Sequence, residues 1–217
     1  MTRGVPQAQS RQAPPPARLT YRAYAGAEPE PIGFLLVPQF SMMAFLSAVE
    51  PLRVANRLAG RELFAWHAYS GDGAPVQASN GMRIMVEAPM AAISAIPTLL
   101  VCAGFEPERY ATRAVARLLR RLARAGVVLG ALDSGAFRLA KAGLLEGVTV
   151  TMHWEAVPAF RESFPQVRVA DELYEIDGGR ITVRHSRPYA MPRQGRAAAG
   201  ARRHGWRLPA PGASDLR

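Results

Sequence analysis

A single lysine, Lys141, and a single cysteine, Cys102, stand in a chain of 217 residues. One cysteine excludes an intrachain disulfide and any metal site built from several thiolates. The four histidines show no ligand spacing either, so neither a metal nor another cofactor is expected. The lone lysine stands against 26 arginines, a bias that fits a GC-rich bacterial genome better than a function. Long apolar runs are missing as well, because Arg, Pro or Glu interrupts each after a few residues, and no membrane span is expected. The N-terminus lacks the charged-then-apolar pattern of a signal peptide, which makes the cytoplasm the expected compartment. The Gly-rich "GDGAPVQASNG" lacks a Gly-Lys-Ser/Thr ending and reads as a link between two strands, not a phosphate loop.

Charge is present in excess, at a formal +10, but it is unevenly placed. Residues 184–217 hold eight arginines against one acid, Asp215, about +7 of the total, leaving the other 183 residues near +3. A basic nucleic-acid face over the whole molecule is therefore not supported. The arginines of "RYATRAVARLLRRLARAG" fall on the polar side of an amphipathic helix whose inward positions are Val115, Leu118, Leu119 and Leu122. A solvated face is the expected reading there.

Three segments follow from composition. Residues 1–30, with a Pro-Pro-Pro run and few large apolar side chains, are expected to be a disordered leader. Residues 31–183 alternate strand and helix patterns, and 49% hydrophobic content can bury one sizeable core. Residues 184–217 mix Arg, Pro, Ala and Gly without apolar period, and no stable fold is expected. Within the middle segment, "IGFLLVP" (32–38) suits a strand buried on both faces. Ser41 and Gly60 are placed to cap a helix between them, which Pro51 is expected to kink or break. "ELFAWHAYS", "GMRIMVE", "AIPTLLVCAG", "VVLGALDSG", "VTVTMHW", "VRVA", "LYEI" and "RITV" read as further strands. "AFRLAKAGLLEG" and "EAVPAFRESFP" read as helices. This alternation predicts an α/β fold with an open, doubly wound, mostly parallel sheet and helices on both faces. Ligands of such folds lie at the carboxyl ends of strands, where Cys102, Asp133 and His153 all fall.

Asp133 lies on a tight small-residue bend between a strand and a helix, the kind of corner that enzymes use for nucleophiles. A carboxylate there can cap the following helix, near Ser134, or serve as fixed negative charge for a cationic ligand. It cannot replace a thiolate in attack on an amide or in redox chemistry. His153 can be a core histidine or a ligand contact, and Trp154 can fill core volume or offer an aromatic face to an ammonium, worth about 0.5–2 kcal/mol. Glu50 can face solvent or reach a ligand or a partner subunit. Cys102, in an apolar strand, reads as inert packing.

The stretches "FLLVPQFSMMAFLSAVEPLRVANRL", "LVCAG", "ALDSGAFRLAKAGLLEG" and "TMHWEAVPAFRESFP", in this order, resemble the N-terminal domain of GlxA-type, AraC-family transcription regulators. That domain is similar to the PfpI/ThiJ, or class I glutamine amidotransferase-like, superfamily, and the resemblance covers residues 31–183. It implies a flavodoxin-like fold. Catalytic members hold a cysteine nucleophile at the elbow and a histidine at a later strand end; Asp133 and His153 fall at those positions here. They also use an acid near the start of the first helix, where Ser41 to Ala44 supply none. Regulators of betaine, carnitine and amino-acid catabolism carry Asp at the elbow and sense ligands without turning them over.

The resemblance therefore implies a non-enzymatic sensor domain for a small cationic or zwitterionic effector: an amine, betaine or amino-acid-like molecule. The expected ligand-binding residues are Asp133, Ser134, His153, Trp154, Phe40 and Glu50, with no catalytic residue; a homodimer is compatible with it. A PfpI/ThiJ-like hydrolase or amidotransferase is the alternative, and a defunct remnant a third. Full-length regulators of this type continue into a helix-turn-helix domain. No such pattern appears here, so specific DNA binding by the chain as written is not expected, and a frameshifted or truncated end is the explanation offered for residues 184–217.

Overall fold

The computed structural model describes residues 28–94, 96–105, 110 and 112–185. All belong to the first of the chain's two units, Met1–Arg187, and the fold is that of this unit. The leader to residue 27 and all of the tail beyond His185 lie outside the described residues.

In chain order the elements are β1 (Glu30–Leu36), α1 (Met42–Ala59), β2 (Phe64–Ser70), β3 (Val76–Gln77), β4 (Arg83–Ile84), β5 (Ala88–Pro89), β6 (Thr98–Ala103) and α2 (Arg113–Arg124). There follow β7 (Val128–Asp133), α3 (Ala136–Lys141), β8 (Thr149–Val150), α4 (Val157–Ser163), β9 (Arg168–Val169), β10 (Tyr174–Asp177) and β11 (Arg180–Val183). Seven strands form one sheet in the order β10-β11-β7-β6-β1-β2-β5, parallel except for the antiparallel β10–β11 pair. That hairpin turns through Gly178 and Gly179, both at positive φ, which glycine adopts without steric cost.

The apolar run of β1 from Ile32 onward is explained by cover on both sides. Ile32, Phe34 and Leu36 join a core with Phe45 and Val49 of α1, whereas Leu35 and Val37 join the core formed with α2, α3 and α4. Successive side chains of a strand point to opposite faces, so both faces of this strand had to be apolar. α2 buries Val115, Leu118, Leu119 and Leu122, and its arginines at 113, 117, 120, 121 and 124 are exposed.

Ser41 caps α1 by accepting from the Ala44 N–H at 3.3 Å, and Gly60 closes it at φ 64°. Pro51 does not break this helix, which runs through it over 18 residues. Ser47, whose carbonyl loses its donor to Pro51, is exposed together with it, so water can satisfy that oxygen. Asn56 ties the end of α1 to β2: its carbonyl oxygen accepts from the Leu63 and Phe64 N–H groups, and its amide donates to the Phe64 carbonyl.

Three sequence expectations are corrected. "GDGAPVQASNG" contains β3, which pairs with β4 in a separate hairpin, because residues 78–82 supply the turn between them. "GMRIMVE" is strand only at Arg83–Ile84. In "VTVTMHW" the ladder stops after Val150; the Thr151 N–H bonds the Thr182 hydroxyl at 2.8 Å instead of a strand partner. No helix among the described residues is long and apolar enough to cross a membrane.

Candidate functional site

The parallel register sets Ala103 of β6 beside Asp133 of β7, so both strands end at the same height. The chain leaves β6 through Gly104, where a Cβ would collide with the Gln39 carbonyl oxygen and crowd the Ser41 nitrogen. The missing side chain lets the exit of β1 and the start of α1 close over the end of β6. Gly135 performs the same service for α3, since its Cβ would collide with the Val101 carbonyl oxygen. Between these close approaches Asp133 stands at φ 59°, in the left-handed region that L residues seldom occupy and Asp tolerates better than most. Its carboxylate is thereby thrown upward, out of the strand.

That geometry decides what the elbow acid does. The residue preceding α3 is Gly135, without a side-chain cap, so Asp133 is not serving as helix cap. Ser134, 2% exposed, is turned to the Gly104 carbonyl, to which its hydroxyl donates. Asp133 instead faces His185, whose Nδ1 is 3.5 Å from its Oδ2. His153 stacks on His185, with ring centroids 5.1 Å apart and planes inclined by 13°, and Glu155 stands 3.8 Å from the Nδ1 of His153.

Burial is the largest influence on Asp133 and pushes its carboxyl above the ordinary carboxylate range. His153, His185 and the Ser41 side chain oppose the rise, whereas the charge of Glu155 adds to it. Cys102, one strand away, has its thiol pushed far up by complete burial and then by the negative charge of Asp133. It is no candidate nucleophile.

The space above the elbow is a pocket of about 510 Å³. Asp133, Ser134 and His153 line it, as do Met43, Phe105 and His185. Three further expected site residues do not line it. Phe40 is fully buried beneath, its ring edge-on to Phe45 at 6.0 Å. Trp154 is 41% exposed, beside His153 at 5.6 Å between rings. Glu50 lies on the exposed side of α1, paired with Arg53 at 2.7 Å, which holds its carboxyl below the ordinary value.

Sequence reasoning missed His185, placing it in the structureless tail; the rule that pointed to Cys102, Asp133 and His153, a position at a strand's carboxyl end, marks it too. Ser79 and Asn80, between β3 and β4, also reach the pocket and carried no such signal. Among the described residues there is no group of three or more His, Cys, Asp or Glu side chains able to hold a metal ion.

An open, mostly parallel sheet, covered on both faces and carrying a strained acid elbow at its strand ends, defines a flavodoxin-like α/β protein. The chain belongs to the DJ-1/PfpI family, whose model matches residues 33–193. It is similar to the HTH-type transcriptional regulator CdhR of Pseudomonas aeruginosa, 54% identical over 149 residues, which cover 69% of this chain and 44% of that protein. The HTH-type transcriptional regulator GlxA of Rhizobium meliloti is 43% identical over 152 residues, 70% of this chain and 47% of its own length. The chain thus spans less than half the length of these curated relatives. Among solved structures, an AraC family transcriptional regulator from Pseudomonas putida superposes with a TM-score of 0.65 at 30% identity, covering 71% of this chain and 83% of that one. Drosophila melanogaster DJ-1beta, at 21% identity and a TM-score of 0.60, shares the fold.

Proposed function

We propose that this chain is the effector-sensing domain of a cytoplasmic transcription regulator, and that its pocket binds a small cationic or zwitterionic amine, betaine or amino-acid-like molecule without turning it over. The observation that carries the reading is Asp133: a buried carboxylate aimed by a strained elbow into a pocket of small-molecule size. A negative charge held there costs free energy unless something positive meets it. The regulator names borne by CdhR, GlxA and the Pseudomonas putida protein support the same class.

Binding without turnover is supported by the chemistry of the elbow. No thiol reaches the pocket, and a carboxylate attacks only activated leaving groups. Pocket contact is assigned to Asp133, Ser134 and His153. Trp154 and Phe40 act around them, as neighbour of His153 and as support from beneath. Glu50 is left to the outer face of α1, where a second copy of the chain is the partner proposed. DNA recognition is not assigned to α2, whose arginines lie on its outer side.

Thermal unfolding against choline, glycine betaine, carnitine and basic amino acids tests the reading. A ligand specific for the folded state adds about 2.7 kcal/mol at a hundredfold excess over Kd. For a domain of this size that raises Tm by about 5–10 °C. The shift should vanish in Asp133→Ala. An equal shift in that variant, or none with any of these cations, overturns the proposal.

A further inference from the structure

His185 follows β11 by two residues, and its neighbour Arg184 fixes its place. The Arg184 guanidinium is buried and donates to the Asp171 carbonyl at 2.9 Å while pairing with the Asp171 carboxylate at 2.8 Å; its N–H bonds the Leu173 carbonyl. Held at this exit, the chain turns the His185 ring inward against His153. Its Nδ1 is buried from solvent and has no hydrogen-bond partner among the described residues, although Asp133 Oδ2 is only 3.5 Å away. A charge-assisted hydrogen bond would be nearer 2.8 Å. The attraction is thus Coulombic and unlatched.

Among the described residues, the charged and titratable groups around the Asp133 carboxyl that His185 meets are few. β7 contributes Asp133, the connection from β8 to α4 contributes His153 and the half-exposed Glu155, and the start of α1 contributes the Ser41 hydroxyl. Cys102 of β6 is a neutral thiol beside Asp133. Two imidazoles stacked face to face disfavour carrying charge together, as like charges do at any close approach. The arrangement accommodates one positive charge opposite one negative.

We propose that His185 is the pocket's own counter-cation: in the empty pocket its imidazolium pairs with Asp133, and a cationic ligand takes that place. The proposal rests on the cation-binding reading given above. Charge balances through the exchange: one cation enters, His185 gives one proton to solvent, and the carboxylate remains paired throughout. Ligand and proton are then competitors, and affinity for a cation rises with pH.

Two measurements on the full chain test this. The first needs no ligand: carboxyl-carbon NMR of labelled aspartate follows Asp133 in the native protein and in His185→Gln. Loss of an opposing positive charge should raise the Asp133 titration midpoint by about one pH unit. An unchanged midpoint overturns the proposal. The second is calorimetric titration with choline and its uncharged isostere 3,3-dimethylbutan-1-ol, in buffers of different ionisation enthalpy. Choline should release up to about one proton per site near pH 6.5 and the isostere none, as a charge-for-charge exchange at an imidazole requires. His185→Gln should bind choline more tightly than the native protein at that pH, because no imidazolium then competes for the carboxylate. Choline binding without proton release, or weakened in His185→Gln, overturns the exchange even where that variant's carboxyl titration is lost to misfolding. Absence of choline binding in every form counts against choline as a ligand of the proposed function, while the Asp133 midpoint still decides the pairing.

Discussion

Gly135 offers the sharpest test of how the elbow is built. A methyl group there falls onto the Val101 carbonyl oxygen, 3.0 Å from the Leu132 carbonyl oxygen and 3.2 Å from the Ala131 Cβ. Two of these are backbone atoms of β6 and β7, and they cannot swing aside as a side chain would. The backbone conformation is not the obstacle, because φ −55° and ψ −25° suit alanine. Stiffening the unfolded chain would by itself stabilise Gly135→Ala by about 0.4–1 kcal/mol. Overpacking opposes this with about 1–3 kcal/mol, and rigid partners favour the upper end. A net loss of about 1–2.5 kcal/mol follows, or roughly 2–10 °C in Tm at this chain length. Gly71→Ala is the control, since its Cβ meets nothing within 4 Å and its φ lies outside the left-handed region. Scanning calorimetry of both variants should show Gly135→Ala well below wild type and Gly71→Ala at or above it. The reasoning is refuted by a Gly135→Ala midpoint equal to wild type, or by equal losses in both.

Asp133→Asn should be more stable than wild type near neutrality. Burial raises the folded-state carboxyl above its unfolded value, so the folded form holds its proton more tightly, and stability falls as pH rises from the ordinary carboxylate value through the raised one. Above that window the native protein bears the whole cost and the amide none; denaturant titrations across it should show the advantage of Asp133→Asn shrinking toward acid. A constant difference at all pH values would contradict this. Cys102, 1% exposed and held as a thiol, should resist an aromatic disulfide reagent in the folded protein and react once per chain after unfolding. Stoichiometric labelling of the folded protein would refute its burial.

Local signals served best where one element explains itself. Ser41 and Gly60 bracket α1 because a side-chain oxygen and a left-handed glycine satisfy backbone groups within a few residues of themselves. The apolar run of β1 announced a strand covered on two sides, although its paired residues begin at Glu30 and end at Leu36. What the pattern does not carry is partnership. Nothing in "VQ" or "RI" tells that they pair as β3 and β4, or that Thr151 satisfies its N–H through Thr182, 31 residues away.

The site divides in the same way. The bend at Asp133 was legible because Gly, Ala and Ser cluster where a strand must turn sharply. His185 was not, because the arginine-rich text around it hides that its neighbour Arg184 is buried and anchored to Asp171. Glu50, which the sequence allows either to face solvent or to reach a ligand or a partner, lies four residues on from Leu46 and shares that helix's outward side.

The floor of the pocket comes from strand ends in register, and its walls come from elsewhere: the start of α1, the turn at Ser79 and Asn80, and the short connection into α4. Floor and walls are thus separable inheritances. Sequence drift in the three wall segments can reshape the chamber while the acid at its base stays fixed by the sheet. A lineage built on this plan can change the shape of its chamber without moving the acid at its floor.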